Sequence, residues 1–476
     1  METIAIAGAS GFVGSALRRG LADRYRFRAL TRSPVVASSA PADWNTEWRQ
    51  CDLFSLPQLR ESLAGTRRAV YLVHSMLPSA RLNQSRFEDL DLLLADNFAR
   101  MAAANGLEEI IFLGGLIPDD GELSPHLRSR LEVEEALGST GIPVTRLRAG
   151  VIVGPGGSSL RILVNLIRRL PVMVLPRWVN ARTRCIAVGD LVETVRTVLD
   201  EPQWRGGCYD LAGPEALTYR RMIETGARVF GLRRLLVTVP IRSVSISKLW
   251  IQVFSGAPRS LVSPLVDSLR HDLDAVPNPL LDRILPFAVP FEASLRDSCD
   301  KDGHLLPNPR ERTQGQDNRR LRDERRVRSV QRVMLPGGWR AEDVARKYFR
   351  WLESVFRPLL SVRGRTDGRM ALHLFPLTTP LLVLERDGGS GAAPDPCVFH
   401  IVGGLLTSPA ARPPGRFEFR EVCGRRFVIT AIHAYRPRLP WHFYNVTQAL
   451  LHLFVMRAFG SHLQGEARRV AESAEL

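Results

Sequence analysis

Lysine is almost missing from this chain. Lys248, Lys301 and Lys347 are the only three, so 62 of the 65 basic residues are arginine. The formal charge of +16 is spread along the whole length rather than gathered in one aromatic-laced patch, which argues against a nucleic-acid binder. The six cysteines (Cys51, Cys185, Cys208, Cys299, Cys397, Cys423) form no CxxC pair and no Cys/His cluster. No structural metal is therefore expected, and a reducing, cytoplasmic setting is. Long apolar runs are missing too. The nearest, Leu235–Gly256, is broken by Pro240, Arg242, Lys248 and several serines, short of the roughly 18 residues that suggest a membrane span. Met1 leads almost directly into a strand pattern, so no secretory leader is expected. No GxSxG, HExxH, P-loop or EF-hand pattern occurs.

What remains is ordinary for a folded protein: 45% hydrophobic and 24% charged residues over 476 positions, enough for two or three domains. The opening is the most informative stretch. Thr3–Ala7 is a short β-prone run. It is followed by Gly8-Ala-Ser10-Gly11-Phe12-Val13-Gly14 and then a helical pattern. Gly8 permits a tight turn, Gly11 lets backbone approach a pyrophosphate, and Gly14 allows close helix–strand packing. The helix that follows aims its free N–H groups and positive dipole end at the phosphates. A second strand, Arg26–Thr31, ends at Arg32-Ser33, where an acidic residue would hold the ribose 2′-hydroxyl of NAD. A guanidinium there suits the 2′-phosphate, so NADP (NADPH) is expected over NAD. Cys51-Asp52-Leu53 closes a third strand, and a carboxylate there can accept a hydrogen bond from the adenine amino group.

These residues resemble the short-chain dehydrogenase/reductase superfamily in its extended or atypical branch. The likeness is to NmrA-like NAD(P)H-binding proteins and to the reductase-like accessory subunit of respiratory complex I. It covers residues 1 to about 300. Gly8, Gly11 and Gly14 match the GxxGxxG spacing, Asp52-Leu53 the adenine-contacting pair, and Ala69–His74 the fourth strand, which puts His74 at the cofactor crevice. Asp96-Asn97-Phe98 matches the helix asparagine and Ile110–Gly115 the fifth strand. Val144–Gly150 with Gly154-Pro-Gly-Gly157 matches the sixth strand and its turn. Ala149 and Val151 would there meet the nicotinamide carboxamide. Ala187–Asp190, Cys208–Gly213 and Leu217-Thr-Tyr match later segments. The resemblance implies a Rossmann-type, doubly wound parallel sheet, with a small helical substrate subdomain over about 230–300.

The departures from that family are specific. Its reductases place Ser or Thr at the end of strand five, then Tyr and Lys four residues apart on the next helix. Here strand five ends in Gly114-Gly115, His126 takes the tyrosine position and Arg130 the lysine position. Asn97 alone survives from the tetrad. Arg130 keeps a charge for the cofactor ribose, with a fork in place of an ammonium. His126, an imidazole of ordinary pKa about 6.5, can serve as a general acid, or be a polar residue left after catalysis was lost. His74 is a second candidate donor or a strand-end histidine bonded to backbone. Two readings stay open: an oxidoreductase with an apolar carbonyl or quinone-like substrate, and a non-catalytic NADP(H)-binding redox sensor or assembly factor. A nucleotide-sugar epimerase or dehydratase is weaker, because it too needs the Tyr and Lys. Association with a membrane periphery or a respiratory complex is compatible with either.

Beyond this region, Leu249, Ile251, Val253, Phe254 and Leu261 read as core or as a pocket lining. Residues 301–328 read as an arginine-rich linker, with nine arginines and four acids between Arg310 and Arg332. Residues 329–476 read as a separate α+β domain. It has a helix over Arg340–Leu360 and strands at Met370–Phe375, Leu381–Glu385, Cys397–Leu406, Phe417–Val422 and Phe427–His433. A closing helix, Trp441–Leu463, carries Tyr444, Leu450, Leu451, Phe454 and Phe459. This half resembles a domain of unknown function attached to bacterial atypical reductases and, by analogy, a helix-grip fold. His400, His433, His442 and His452 show no metal spacing.

Overall fold

The computed structural model describes residues 1–39, 44–75, 82–118, 123–239, 252, 266–267, 271–308, 327–364, 368–387, 396–409 and 413–474. The apolar residues singled out between Leu249 and Leu261 lie outside these, as does most of the arginine-rich segment. The chain forms two compact units, Met1–Leu77 with Leu94–Asp317 and Pro78–Leu93 with Asn318–Leu476.

The first unit is built on a seven-stranded parallel sheet. Its strands are β1 (Thr3–Ala7), β2 (Arg26–Thr31), β3 (Thr46–Gln50), β4 (Arg68–Tyr71), β5 (Glu109–Gly115), β6 (Val144–Ala149) and β7 (Cys208–Leu211), in the order β7-β6-β5-β4-β1-β2-β3. The inner strands are apolar on both faces because helices cover both, so Ile4, Ile6, Val70, Ile111 and Leu147 are buried together. The order reverses between β1 and β4, which makes their C-terminal ends the switch point of a doubly wound sheet. Helix α1 (Phe12–Gly20) follows β1, α2 (Leu56–Leu63) follows β3, α3 (Phe87–Ala104) precedes β5 and α4 (Pro125–Gly138) precedes β6. Two boundaries differ from expectation. β3 stops at Gln50, so Cys51, Asp52 and Leu53 follow the strand, and β4 stops at Tyr71, which leaves His74 three residues past its end. A second cluster in this unit gathers Leu160, Ile167, Met173, Met222, Ile223, Phe291 and Leu295. Beside it, Leu235–Val239 pairs in parallel with Val172–Pro176.

The second unit is a largely antiparallel sheet of β8 (Val327–Met334), β9 (Leu360–Gly364), β10 (Arg369–Leu374), β11 (Leu382–Arg386), β12 (Cys397–Gly403), β13 (Gly415–Val422) and β14 (Phe427–Tyr435). Its order is β9-β10-β11-β12-β13-β14-β8, closed by a short strand, Leu82–Gln84, parallel to β8. The β13–β14 hairpin turns across Gly424, with Val422 opposite Phe427. Helix α5 (Ala341–Phe356) and the closing helices α6 (Trp441–Val446) and α7 (Gln448–Ala474) complete it. Tyr348 sits at the centre of an aromatic core, its ring 5.6 Å from Phe417 and 5.1 Å from Phe459. The closing helix is broken at Thr447, whose hydroxyl donates to the Phe443 carbonyl one turn back. Tyr444 and Phe459 are buried, whereas Leu450, Leu451 and Phe454 face outward.

Candidate functional site

The glycine turn is dictated by close contacts. Gly8 has φ +90°, and a side chain on Gly14 would lie 2.5 Å from the Gly8 carbonyl oxygen, so no larger residue fits between β1 and α1. The Gly11 amide donates to the Gly8 carbonyl at 3.0 Å, and Gly11 caps α1 with backbone alone. The free amides of the first helical turn therefore point to the strand ends. Ser10, Phe12 and Val13 are half-buried around this turn. The Phe12 ring lies against the Gly154–Gly157 turn, where a β-carbon on Gly154 would come within 3.0 Å of it. The first and sixth strand turns thus form one wall. Ala149 and Val151 flank Gly150, whose own β-carbon would collide with the Arg184 carbonyl.

Arg32 is exposed directly after β2. Asp52 is half-buried, its carboxylate accepting from the Phe54 amide at 3.3 Å. Asn97 is fully buried, and its amide donates to the Leu53 carbonyl at 2.9 Å, which ties α3 to the segment after β3.

The remaining predicted residues come together on α4. Ser124 caps that helix by accepting from the Leu127 amide, and Pro125 opens it, which sets His126 in the first turn. His126 Nδ1 lies 3.2 Å from His74 Nε2, with the two rings stacked at 5.0 Å. One nitrogen of that pair carries the shared proton. Arg130, one turn further and on the same helix face, is buried with its guanidinium 5.2 Å from the Phe112 ring. Its Nε and one Nη have no hydrogen-bond partner among the described residues. Buried arginines are normally paired, so this one is suited to a polar ligand group. Gly114 and Gly115 end β5 without a hydroxyl, although a β-carbon on Gly115 would meet nothing nearer than the Leu127 side chain at 3.4 Å. Two features escaped sequence reasoning. One is the contact between His74 and His126, which were separate candidates there. The other is the half-buried bidentate pair of Arg148 with Glu134 at 3.0 and 2.9 Å, which locks α4 onto β6.

Residues 4–210 match the model of the NAD dependent epimerase/dehydratase family. That match covers less than half of the chain and runs over the Rossmann-type parallel sheet of the N-terminal unit. A stretch of 141 residues is 29% identical to auxiliary protein GraX of Staphylococcus aureus, covering 30% of this chain and 42% of that protein's length. Among solved structures, a nucleoside-diphosphate-sugar epimerase from Staphylococcus aureus is similar at 17% identity and TM-score 0.49, over 62% of this chain and 99% of that one. The Citrobacter sp. triphenylmethane reductase complexed with NADP(H) is similar at 19% and 0.49, over 61% and 98%. An NADPH-dependent quinone oxidoreductase of Escherichia coli stands at 20% and 0.49, over 61% and 97%. Among the described residues, no helix is long and apolar enough to cross a membrane.

Proposed function

We propose that the protein is an NADP(H)-dependent oxidoreductase acting on an apolar carbonyl or quinone-like substrate, with His126 as its proton donor. The observation that carries this reading is the His74–His126 contact at 3.2 Å, one helical turn from Arg130, whose Nε and one Nη have no hydrogen bond among the described residues. The residues present fit a dinucleotide. The Gly8–Gly14 turn leaves the close approach that a diphosphate needs, and Arg130 offers buried donors to a ribose hydroxyl. Arg32 at the end of β2 suits a 2′-phosphate and favours NADP over NAD.

When bound, the reduced nicotinamide supplies a hydride to the substrate carbon. His126 gives its proton to the oxygen of the same substrate, so carbonyl becomes alcohol. His74, bonded to the other side of that ring, then relays a proton taken up from solvent water to His126 and restores it. Arg130 holds the ribose side with its guanidinium donors. Asn97 acts one step away, by fixing the Leu53 backbone.

A second reading, a redox sensor that binds NADP(H) without turnover, is favoured by Gly114-Gly115. These residues leave substrate without the orienting hydroxyl of strand five. NADPH oxidation with a panel of quinones and aldehydes separates the two. The oxidoreductase reading expects His126→Ala to lower the rate by about 10²–10⁴-fold, with NADPH affinity intact by fluorescence titration. Tight NADPH binding with no turnover in the unaltered protein would establish the sensor instead.

A further inference from the structure

We propose that the outer face of α6 and of the first turns of α7 docks on the surface of an anionic lipid bilayer. Phe443, Val446, Leu450, Leu451 and Phe454 are each between 57% and 66% exposed, while Tyr444, Ala449, Val455 and Met456 beside them are buried. Within α7 the exposed Leu450, Leu451 and Phe454 fall at i, i+1 and i+4, a single stripe along the helix. Contiguous large apolar side chains of this kind mark a contact surface rather than a water-facing helix.

The inner face cannot roll over to hide them. Phe459 is packed 5.1 Å from the Tyr348 ring and 5.2 Å from the Trp351 ring, and Lys347 Nζ holds Glu466 at 2.8 Å. The outer stripe is thus held outward by the core of its own unit.

Charge identifies the occupant. No acidic residue occurs between Glu421 and Glu466, whereas Arg425, Arg426, Arg436, Arg438 and Arg457 do. Arg438 and Arg457 are exposed on either side of the stripe in sequence. An apolar helix face whose flanking sequence carries arginine and no acid is the pattern of a helix lying in the bilayer interface, where cations meet anionic headgroups. No described helix can span the membrane, so the contact is peripheral. A second copy of the chain fits less well. A two-fold interface sets a patch against itself and would bring the same arginines face to face.

The test is sedimentation of the full-length protein with vesicles of phosphatidylglycerol and, separately, of phosphatidylcholine. Binding is expected to phosphatidylglycerol and to be at least tenfold weaker to phosphatidylcholine. The double variant Phe443→Ser/Phe454→Ser should lose at least tenfold, and Arg438→Gln/Arg457→Gln a smaller factor that vanishes at high salt. Circular dichroism and NADPH titration of the same variants confirm that both units remain folded. Three results would overturn the proposal. One is no sedimentation with phosphatidylglycerol vesicles at low salt. Another is equal binding by the double serine variant, which would assign the effect to the general positive charge. The third is a halved solution mass in that variant without vesicle binding, which would assign the face to a second copy.

Discussion

Both units bury arginine, and they do so in opposite ways. In the first, Arg130 lies under the strand ends with two guanidinium nitrogens unmatched and an aromatic ring as its neighbour. In the second, Arg420 is fully buried in the middle of β13, with Glu418 at 3.3 Å. Glu418 is also 3.2 Å from Arg416 and 3.1 Å from His433. Although burial alone would raise its pKa, the charges of Arg420 and Arg416, with the His433 ring beside it, hold this carboxyl far below the usual carboxylate range. By hydrogen bonding the two are alike, since Arg420 also has two guanidinium nitrogens without a bond; what separates them is the carboxylate beside Arg420, which Arg130 lacks among the described residues. Only the first kind should respond to a nucleotide.

The largest effect should come from breaking the second kind. Glu418→Gln removes the carboxylate among three cationic or polar neighbours, and loss of one partner of a buried pair costs about 3–5 kcal/mol. Urea unfolding of the variant should show that loss in the transition of the second unit, with NADPH affinity unchanged. Arg130→Met should do the converse. It removes a buried, partly unsatisfied group, so stability without nucleotide should change little or rise. NADPH affinity should fall about tenfold, or about 1.4 kcal/mol. A large loss of stability in Arg130→Met would erase the distinction.

A smaller effect is expected from pH. Burial, opposed by Glu418, holds His433 below the ordinary histidine value. The unfolded chain takes up a proton near pH 6.5 that the folded one refuses. This contribution is therefore absent at neutral pH and becomes destabilising as pH falls through 6.5. Melting temperatures between pH 7.5 and 5.5 should drop less in His433→Gln than in the unaltered protein. The smallest change should follow Arg32→Asp at the exposed end of β2, which should reduce NADPH affinity several-fold while leaving NADH little affected. An unchanged preference would remove Arg32 from the site.

Much of the first unit was readable because its constraints are local. Gly8, Gly11 and Gly14 are spaced by the needs of one turn, and the family resemblance placed His126 and Arg130 four residues apart on one helix. The His74–His126 contact was not readable, since the partners are separated by two strands' worth of chain and meet only when α4 is laid over the sheet. Nor could the sequence show that two guanidinium nitrogens of Arg130 have no hydrogen bond among the described residues, a property of everything around it. In the second unit the hairpin around Gly424 was plain from its alternating phenylalanines. β8 was hidden, because Arg328 and Arg332 interrupt the apolar pattern of Val327, Val330 and Val333. Arg332 is satisfied by Asp89 at 2.9 Å, a carboxylate far away in sequence. The outward set of Leu450 and Phe454 reversed the ordinary rule for apolar residues, and it is there that a partner is inferred.

Titration calorimetry with NADPH, on the unaltered protein and on Gly14→Val, tests the central claim most directly. A single saturable site is expected in the former. The latter, whose side chain would collide with the Gly8 carbonyl, should give no binding heat while its second unit still melts normally. Absence of heat with both NADPH and NADH in the unaltered protein would contradict the account, as would undiminished binding by Gly14→Val.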